Sequence, residues 1–121
     1  MGASWVRQHI LDAHPDARLS VIVLWEPMFP GDTRQDAVDD EVFDEPRVTS
    51  FWDPTEISGR WFAERALGNV RGEQIVWDAF YAFGPAARWD RLPDHLLTSG
   101  TPIIGGADAL ERFLIPLLDG S

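Results

Sequence analysis

Cysteine is absent from this sequence, and its absence excludes several kinds of chemistry. A chain without a thiol forms no disulfide, offers no thiolate nucleophile and holds no metal through sulfur. The sequence also has no run of the roughly 20 apolar residues that span a bilayer, and its first residues lack the basic and apolar blocks of a signal peptide. We therefore expect a cytoplasmic protein that performs no thiol redox chemistry and does not cross a membrane.

Positive charge is also scarce, because 10 Lys and Arg residues stand against 20 Asp and Glu residues, for a formal net charge of −10. This negative field repels phosphate backbones and anionic membrane surfaces, so no nucleic-acid partner is expected. Residues 36–45 hold six carboxylates, whose mutual repulsion predicts an exposed loop or one irregular helical turn. His9 and His14 do not share a helix face, and the sequence has neither zinc-ligand spacing nor a glycine-rich phosphate loop. We expect no metal and no cofactor.

The apolar residues favour one α/β domain over residues 1–121, since 45% of the 121 residues are hydrophobic. The run LSVIVLW at 19–25 is almost continuously apolar and predicts a strand covered on both faces. Further strands are predicted at 48–52 and 74–83, and a short last strand at 102–106.

Helices are predicted where apolar residues recur at helical spacing. The first helix has Ser4 as its cap, the second follows Asp53 or Thr55, and the last begins at 107–108. Gly68 is predicted to end the second helix, because glycine readily adopts the left-handed conformation found at helix ends.

The order of these elements resembles that of a thioredoxin-like protein over most of the chain. The resemblance is carried by the helix that begins GASWV at residue 2, the buried strand 21–25, a further helix, two strands and a final helix. In the bacterial thioredoxin-like proteins that it resembles most, a Cys-x-x-Cys turn directly precedes that first helix. The family's opening strand, helix and strand, with the redox motif, would lie upstream of residue 1. The resemblance implies a truncated, cysteine-free thioredoxin-like protein with a shortened mixed sheet and helices on both faces, to which no catalytic residue carries over.

A second similarity to the family is the pair Thr101-Pro102. Thioredoxin-like proteins have a Thr-Pro pair in which a cis proline faces the redox site, so the resemblance implies a cis bond before Pro102. Alternatively, Pro102 simply opens the predicted last strand at 102–106.

The resemblance also predicts how the chain assembles. The missing Cys-bearing strand would lie between the first strand of this chain and the later strands, which leaves backbone groups at two strand edges without partners. We expect a homodimer, or a larger closed assembly, that completes the sheet and places strand 19–25 or 74–83 at the subunit boundary. The alternative is that the chain is a fragment of a longer redox protein.

Glu26 and Asp32 flank the turn after the first strand, and the carboxyl ends of strands are the usual ligand sites in open α/β sheets. Arg34 is close enough in sequence to pair with either carboxylate. These residues are predicted to bind a ligand, unless Glu26 is only solvated and Asp32 only stabilises the turn at Gly31.

Asp53 and Asp78 each follow a tryptophan, and aligned strands would bring both aspartates toward Arg60 or Glu64. Such a group would form a carboxylate site with one raised pKa. The structural alternative is that Asp53 only caps the helix that follows it.

Six tryptophans are many for this length, and they line an apolar pocket or an interface, or else fill the core. The complete predicted ligand-binding set is Trp25, Glu26, Asp32, Arg34, Asp53, Arg60, Trp77 and Asp78. No catalytic residue and no metal ligand is assigned from the sequence.

The leading functional hypothesis is a non-redox binding or assembly protein on a degenerate thioredoxin-like frame, which self-associates and takes a small apolar ligand between tryptophans. The alternative hypothesis is a small acid/base enzyme or lyase that uses carboxylates near strand ends, Asp32, Asp53 or Asp78, together with Arg60. A carboxylate with a perturbed pKa is the observation that would separate the two.

Overall fold

The computed structural model describes residues 2–27, 29, 31–39 and 41–119. Its elements follow in the order α1 (Gly2–Val6), a π-helical segment (Arg7–Leu11), β1 (Val21–Trp25), α2 (Arg34–Ala37), β2 (Val48–Trp52), α3 (Ile57–Arg65), β3 (Phe80–Phe83), β4 (Leu96–Gly100), a 3-10 turn (Ile104–Gly106), α4 (Ala107–Phe113) and α5 (Ile115–Asp119). Helices and strands both contribute, so the expectation of an α/β chain is confirmed. Across the described ranges, no helix is long and apolar enough to cross a bilayer.

Within the described residues the strands pair into two small sheets. β1 and β2 run parallel, in a register that joins Val21 to Val48 and Trp25 to Trp52. β3 and β4 run antiparallel. In this part of the chain the strands therefore form two separate pairs, where the sequence suggested one mixed sheet.

The expectation that the first strand is covered on both faces is wrong. β1 begins at Val21, and its outward and inward side chains alternate. Ile22 is 68% exposed and Leu24 is 41% exposed, and Phe51, the partner of Leu24 in β2, is 52% exposed. An apolar run indicates a strand but not how many layers cover it, and here the outer face of the parallel pair is open to solvent.

The strand predicted at 74–83 is shorter than expected, because only Phe80–Phe83 joins a ladder. Asp78 has a left-handed backbone with φ 44°, so the predicted strand cannot run through this residue, and β3 begins only after it. The carbonyl oxygens of Trp77 and Asp78 accept hydrogen bonds from the Thr101 hydroxyl, at 2.9 and 3.1 Å.

The last strand is Leu96–Gly100, and the strand expected at 102–106 does not form. Thr98 and Ser99 are buried in β4, so polar residues occupy positions where apolar ones would have indicated a strand. The bond between Thr101 and Pro102 is cis, and the 3-10 turn follows it. Pro102 therefore does not open a strand.

The predicted helix boundaries are correct in part. α3 follows Asp53, and α4 begins at Ala107, as expected. Ser4 lies inside α1 and does not cap it. α3 ends at Arg65 because Ala66 adopts φ 47°, so Ala66 takes the left-handed position at the helix end that was expected for Gly68.

The acidic run at 36–45 is largely exposed, as expected. Its exposed carboxylates are Asp36, Asp39, Glu41 and Asp44, and Asp40 lies outside the described residues. Glu45 differs, because its carboxylate is 2.7 Å from Arg47 Nε and only 15% of its side chain is exposed. Arg47 also donates to three carbonyl oxygens of the first helical segment and the turn after it, those of Leu11, His14 and Ala17.

The main core cluster lies away from the parallel pair. Its buried members are Ile10, Ala17, Ala82, Leu110, Leu114 and Leu118. They come from the first helical segment, the turn after it, β3, α4, α5 and the residue between these two helices, and none of them belongs to β1 or β2. The outer face of β1 and β2 is thus left without a role in this core.

Candidate functional site

Two carboxylates lie side by side at the carboxyl ends of the parallel strands. Trp25 and Trp52 are the last register partners of β1 and β2, and Glu26 and Asp53 follow them directly. The backbone N–H of Asp53 donates to the carbonyl oxygen of Trp25 at 2.7 Å, which extends the pairing by one residue. Glu26 and Asp53 are therefore brought together at the strand ends, where ligands bind in open α/β sheets.

Asp53 caps α3, as the structural alternative proposed. Its carboxylate accepts hydrogen bonds from the backbone N–H groups of Ile57 at 3.1 Å and Ser58 at 2.8 Å, and from the Ser58 hydroxyl. Partial burial acts to raise the pKa of Asp53, but the hydrogen bonds from Ser58 and Ile57 and the charge of Arg60 outweigh it, so this pKa lies below its ordinary value. Asp53 is held as an anion.

Glu26, the other carboxylic acid at the strand ends, has a strongly shifted pKa. It is half-buried against α3, and this burial, followed by the charges of Asp53 and Glu56, raises the pKa of Glu26 from 4.5 to about 7. The backbone N–H of Gly59 and the charge of Arg60 act in the opposite direction. Glu26 Oε1 is buried without a hydrogen-bond partner in the described part of the chain. Near neutral pH this carboxyl is therefore present in both protonation states.

Gly59 makes this position of Glu26 possible. It is the buried residue of α3, and a Cβ added to it would collide with Glu26 Oε1 and lie 2.8 Å from Ile75 Cγ2. Any other residue at this position would push the carboxylate away from the helix or press on Ile75. The close approach of Glu26 to α3, and with it part of the burial of this carboxylate, is possible because glycine has no side chain.

Glu56 completes the acidic group, and sequence reasoning missed it. Its backbone is left-handed with φ 59°, and its Oε2 atom is buried without a partner among the described residues. Its place directly before α3, three residues after Asp53, is the signal that could have drawn attention to it. Arg60, which was predicted, is exposed beside the group and donates to the carbonyl oxygen of Thr55.

The other residues predicted near the first turn differ in their surroundings. Asp32 accepts a hydrogen bond from the backbone N–H of Phe29 at 2.8 Å, in keeping with the turn-stabilising alternative. Arg34 is exposed at the first residue of α2. The Trp25 ring lies 6.2 Å from that of Phe43, and its Nε1 is buried without a partner in the described ranges.

Asp78 and Trp77 are not part of the acidic group. Asp78 accepts a hydrogen bond from the backbone N–H of Ile103 at 3.3 Å, and Trp77 is 41% exposed. Glu64 pairs weakly with Arg65 at 3.5 Å, with 75% of the glutamate side chain exposed. The predicted convergence of Asp53, Asp78 and Arg60 is therefore replaced by a group of Glu26, Asp53, Glu56 and Arg60.

An open groove of about 540 Å³ adjoins this group. We name it the tryptophan groove; its lining residues are Leu24, Phe51, Trp52, Asp53, Ile57, Ser58, Trp61, Phe62, Trp89 and Arg91. The rings of Trp61 and Trp89 stack at 5.2 Å between centroids, and Phe62 meets Trp89 edge-on at 5.9 Å. Asp53 is the one predicted site residue among the lining residues.

The tryptophan groove and the acidic group could do different things. The groove presents aromatic and aliphatic surface, which favours an apolar partner. The acidic group holds one anion and one carboxyl that titrates near pH 7, which favours proton transfer. Among the described residues, no group of His, Asp and Glu is placed to hold a metal ion.

Comparisons of this chain with protein-family models, curated proteins and solved structures give no match.

Proposed function

We propose that this chain is a non-redox assembly protein of the cytoplasm, built on a shortened thioredoxin-like frame, which self-associates as a homodimer at its parallel sheet. The observation that carries this proposal is the open outer face of β1 and β2, on which Ile22, Leu24 and Phe51 are all more than two-fifths exposed. Exposed apolar surface of this kind commonly marks an interaction site on a folded protein. The tryptophan groove is where the small apolar ligand expected from the sequence would bind.

Sedimentation equilibrium tests the proposal directly. Over a hundredfold range of concentration, the apparent mass should move from one chain of 13.6 kDa toward two chains. The unfolding midpoint should rise with protein concentration, because association stabilises the folded state by mass action. A constant mass of one chain with a concentration-independent midpoint would refute self-association.

A second candidate function is acid/base chemistry at the strand ends, and the state of Glu26 is the observation that favours it. A carboxyl whose pKa is about 7 is poised to give and take a proton near neutral pH, and Asp53 beside it stays ionised. Two carboxyl groups in different protonation states are a common arrangement for an acid and a base.

A carbon-detected NMR titration of the glutamate carboxyl groups tests this candidate. A Glu26 midpoint near 7, which falls when Glu56 is replaced by Gln, would support it, since Glu56 is one of the charges that raise this pKa. A midpoint near 4.5 would remove the basis for an acid/base role.

A further inference from the structure

We infer that the proposed homodimer forms through one continuous apolar surface, the outer face of β1 and β2 together with the tryptophan groove, and that its occupant is the same surface of a second copy. This inference rests on the proposed self-association and adds where it occurs. It also assigns the groove to a protein partner in place of a small ligand.

The face and the groove are continuous because they share residues. Ile22 and Leu24 point to the same side of β1, two residues apart, and Phe51 is the register partner of Leu24. Leu24 and Phe51 also line the groove, where Ile57 and Trp89 extend the apolar surface. These five side chains are between 41% and 68% exposed. They form one surface that crosses both strands and reaches the start of α3.

The exposed area of the chain is large enough to supply a dimer interface. The accessible surface is 7991 Å², whereas a folded monomer of this mass is expected to expose about 6,600 Å². The excess is about 1,400 Å² per chain on that scaling. An interface of standard size takes about 800 Å² from each copy, which is less than this excess.

The charge distribution favours a second copy over a charged partner. The chain carries a formal net charge of −10, yet among the described residues that line the groove there is one basic residue, Arg91, and one acidic residue, Asp53. A basic protein would be drawn to the acidic parts of the chain, not to this nearly neutral surface. Two like-charged copies can approach most closely where their charge is lowest, and a two-fold axis lets one apolar patch cover itself.

Lysine substitutions at two separate points of the surface test the inference. Ile22→Lys and Ile57→Lys each place a charge where the side chain is now 68% exposed, so both variants should fold. Lysine makes the chain less negative, so weaker association cannot come from greater overall repulsion. The matched control is Phe113→Lys, at an apolar residue of α4 that is 47% exposed. We expect each test variant to weaken dimerisation at least about tenfold and the control to leave it unchanged.

A labelling measurement keeps the test independent of how the lysine variants fold. Because the chain has no cysteine, Phe51→Cys and Phe113→Cys each introduce the sole thiol. The rate of maleimide labelling at residue 51 should fall severalfold as the protein is concentrated through its dimerisation range. The rate at residue 113 should stay constant.

The outcomes separate the interface from the assembly itself. A dimer that survives both lysine variants, with no protection at residue 51, would overturn this surface and leave the proposed self-association standing. A monomer at every concentration would overturn both. Dimerisation should tighten as salt screens the repulsion between two negative chains. Weakening of dimerisation by salt would contradict an apolar interface between two negative chains, and binding of a small apolar compound in the groove that leaves the dimer intact would contradict a second copy as its occupant.

Discussion

Replacing Glu26 with Gln tests the electrostatics of the acidic group. Glutamine keeps the shape of the side chain but carries no charge, so it removes the titration and little else. In the folded chain the pKa of Glu26 is about 7, against 4.5 as its ordinary value. The folded state thus binds this proton more tightly than the unfolded state does, and the resulting stabilisation is complete below about pH 4.5 and is lost as the pH rises through 7.

The size of the effect follows from the pKa and from the exposure of the group. A pKa rise from 4.5 to about 7 corresponds to roughly 3 kcal/mol at full strength. Glu26 is only half-buried, so solvent screening reduces this, and we expect about 1 to 2 kcal/mol. Relative to the wild-type chain, Glu26→Gln should gain this amount in free energy of unfolding between about pH 4.5 and pH 8.

Urea unfolding followed by tryptophan fluorescence at several pH values gives this difference. Glu64→Gln is the control, because the Glu64 side chain is 75% exposed on the same helix and its replacement should leave the pH profile unchanged. The difference between the wild-type chain and Glu26→Gln isolates Glu26 from the other carboxylates that titrate in the same range. If Glu26→Gln loses stability relative to the wild-type chain as the pH rises, the burial argument is wrong.

Other substitutions examine the packing around this group and the contacts that hold the first helical segment, and all can be measured by urea unfolding. Gly59→Ala should lower the free energy of unfolding by about 1 to 3 kcal/mol, because the new methyl group meets Glu26 and Ile75. In a chain that already carries Glu26→Ala, the same substitution should cost less. An equal loss of free energy in the two backgrounds would contradict the clash. Asp53→Ala should cost about 1 to 2 kcal/mol as a lost helix cap, and an unchanged midpoint would exclude that role. Arg47→Ala should cost about 3 kcal/mol or more, since three carbonyl oxygens and a mostly buried carboxylate lose their partner; a loss below 1 kcal/mol would show that water replaces the guanidinium.

The local sequence determined the elements whose signals are short-range. The β-branched run of β1 and the helical spacing of α3 and α4 place these elements correctly, because strand and helix preferences act over a few residues. The sequence also offered Asp53 as a cap of the helix that follows it, because capping too depends on neighbours a few residues away. The exposure of most of the acidic run also follows from charge alone.

The tertiary structure decided everything that depends on residues far apart in the chain. β4 forms by pairing with β3 across the intervening chain, although the polar residues Thr98 and Ser99 interrupt the apolar pattern that would have indicated a buried strand. The raised pKa of Glu26 comes first from burial, for which a helix that begins 31 residues later has to pack against the carboxylate, and then from the charges of Asp53 and Glu56. Desolvation and charge repulsion depend on distance in space, which sequence spacing does not give. Sequence periodicity therefore identified an apolar strand, and only the packing of the chain left its outer face open beside the tryptophan groove.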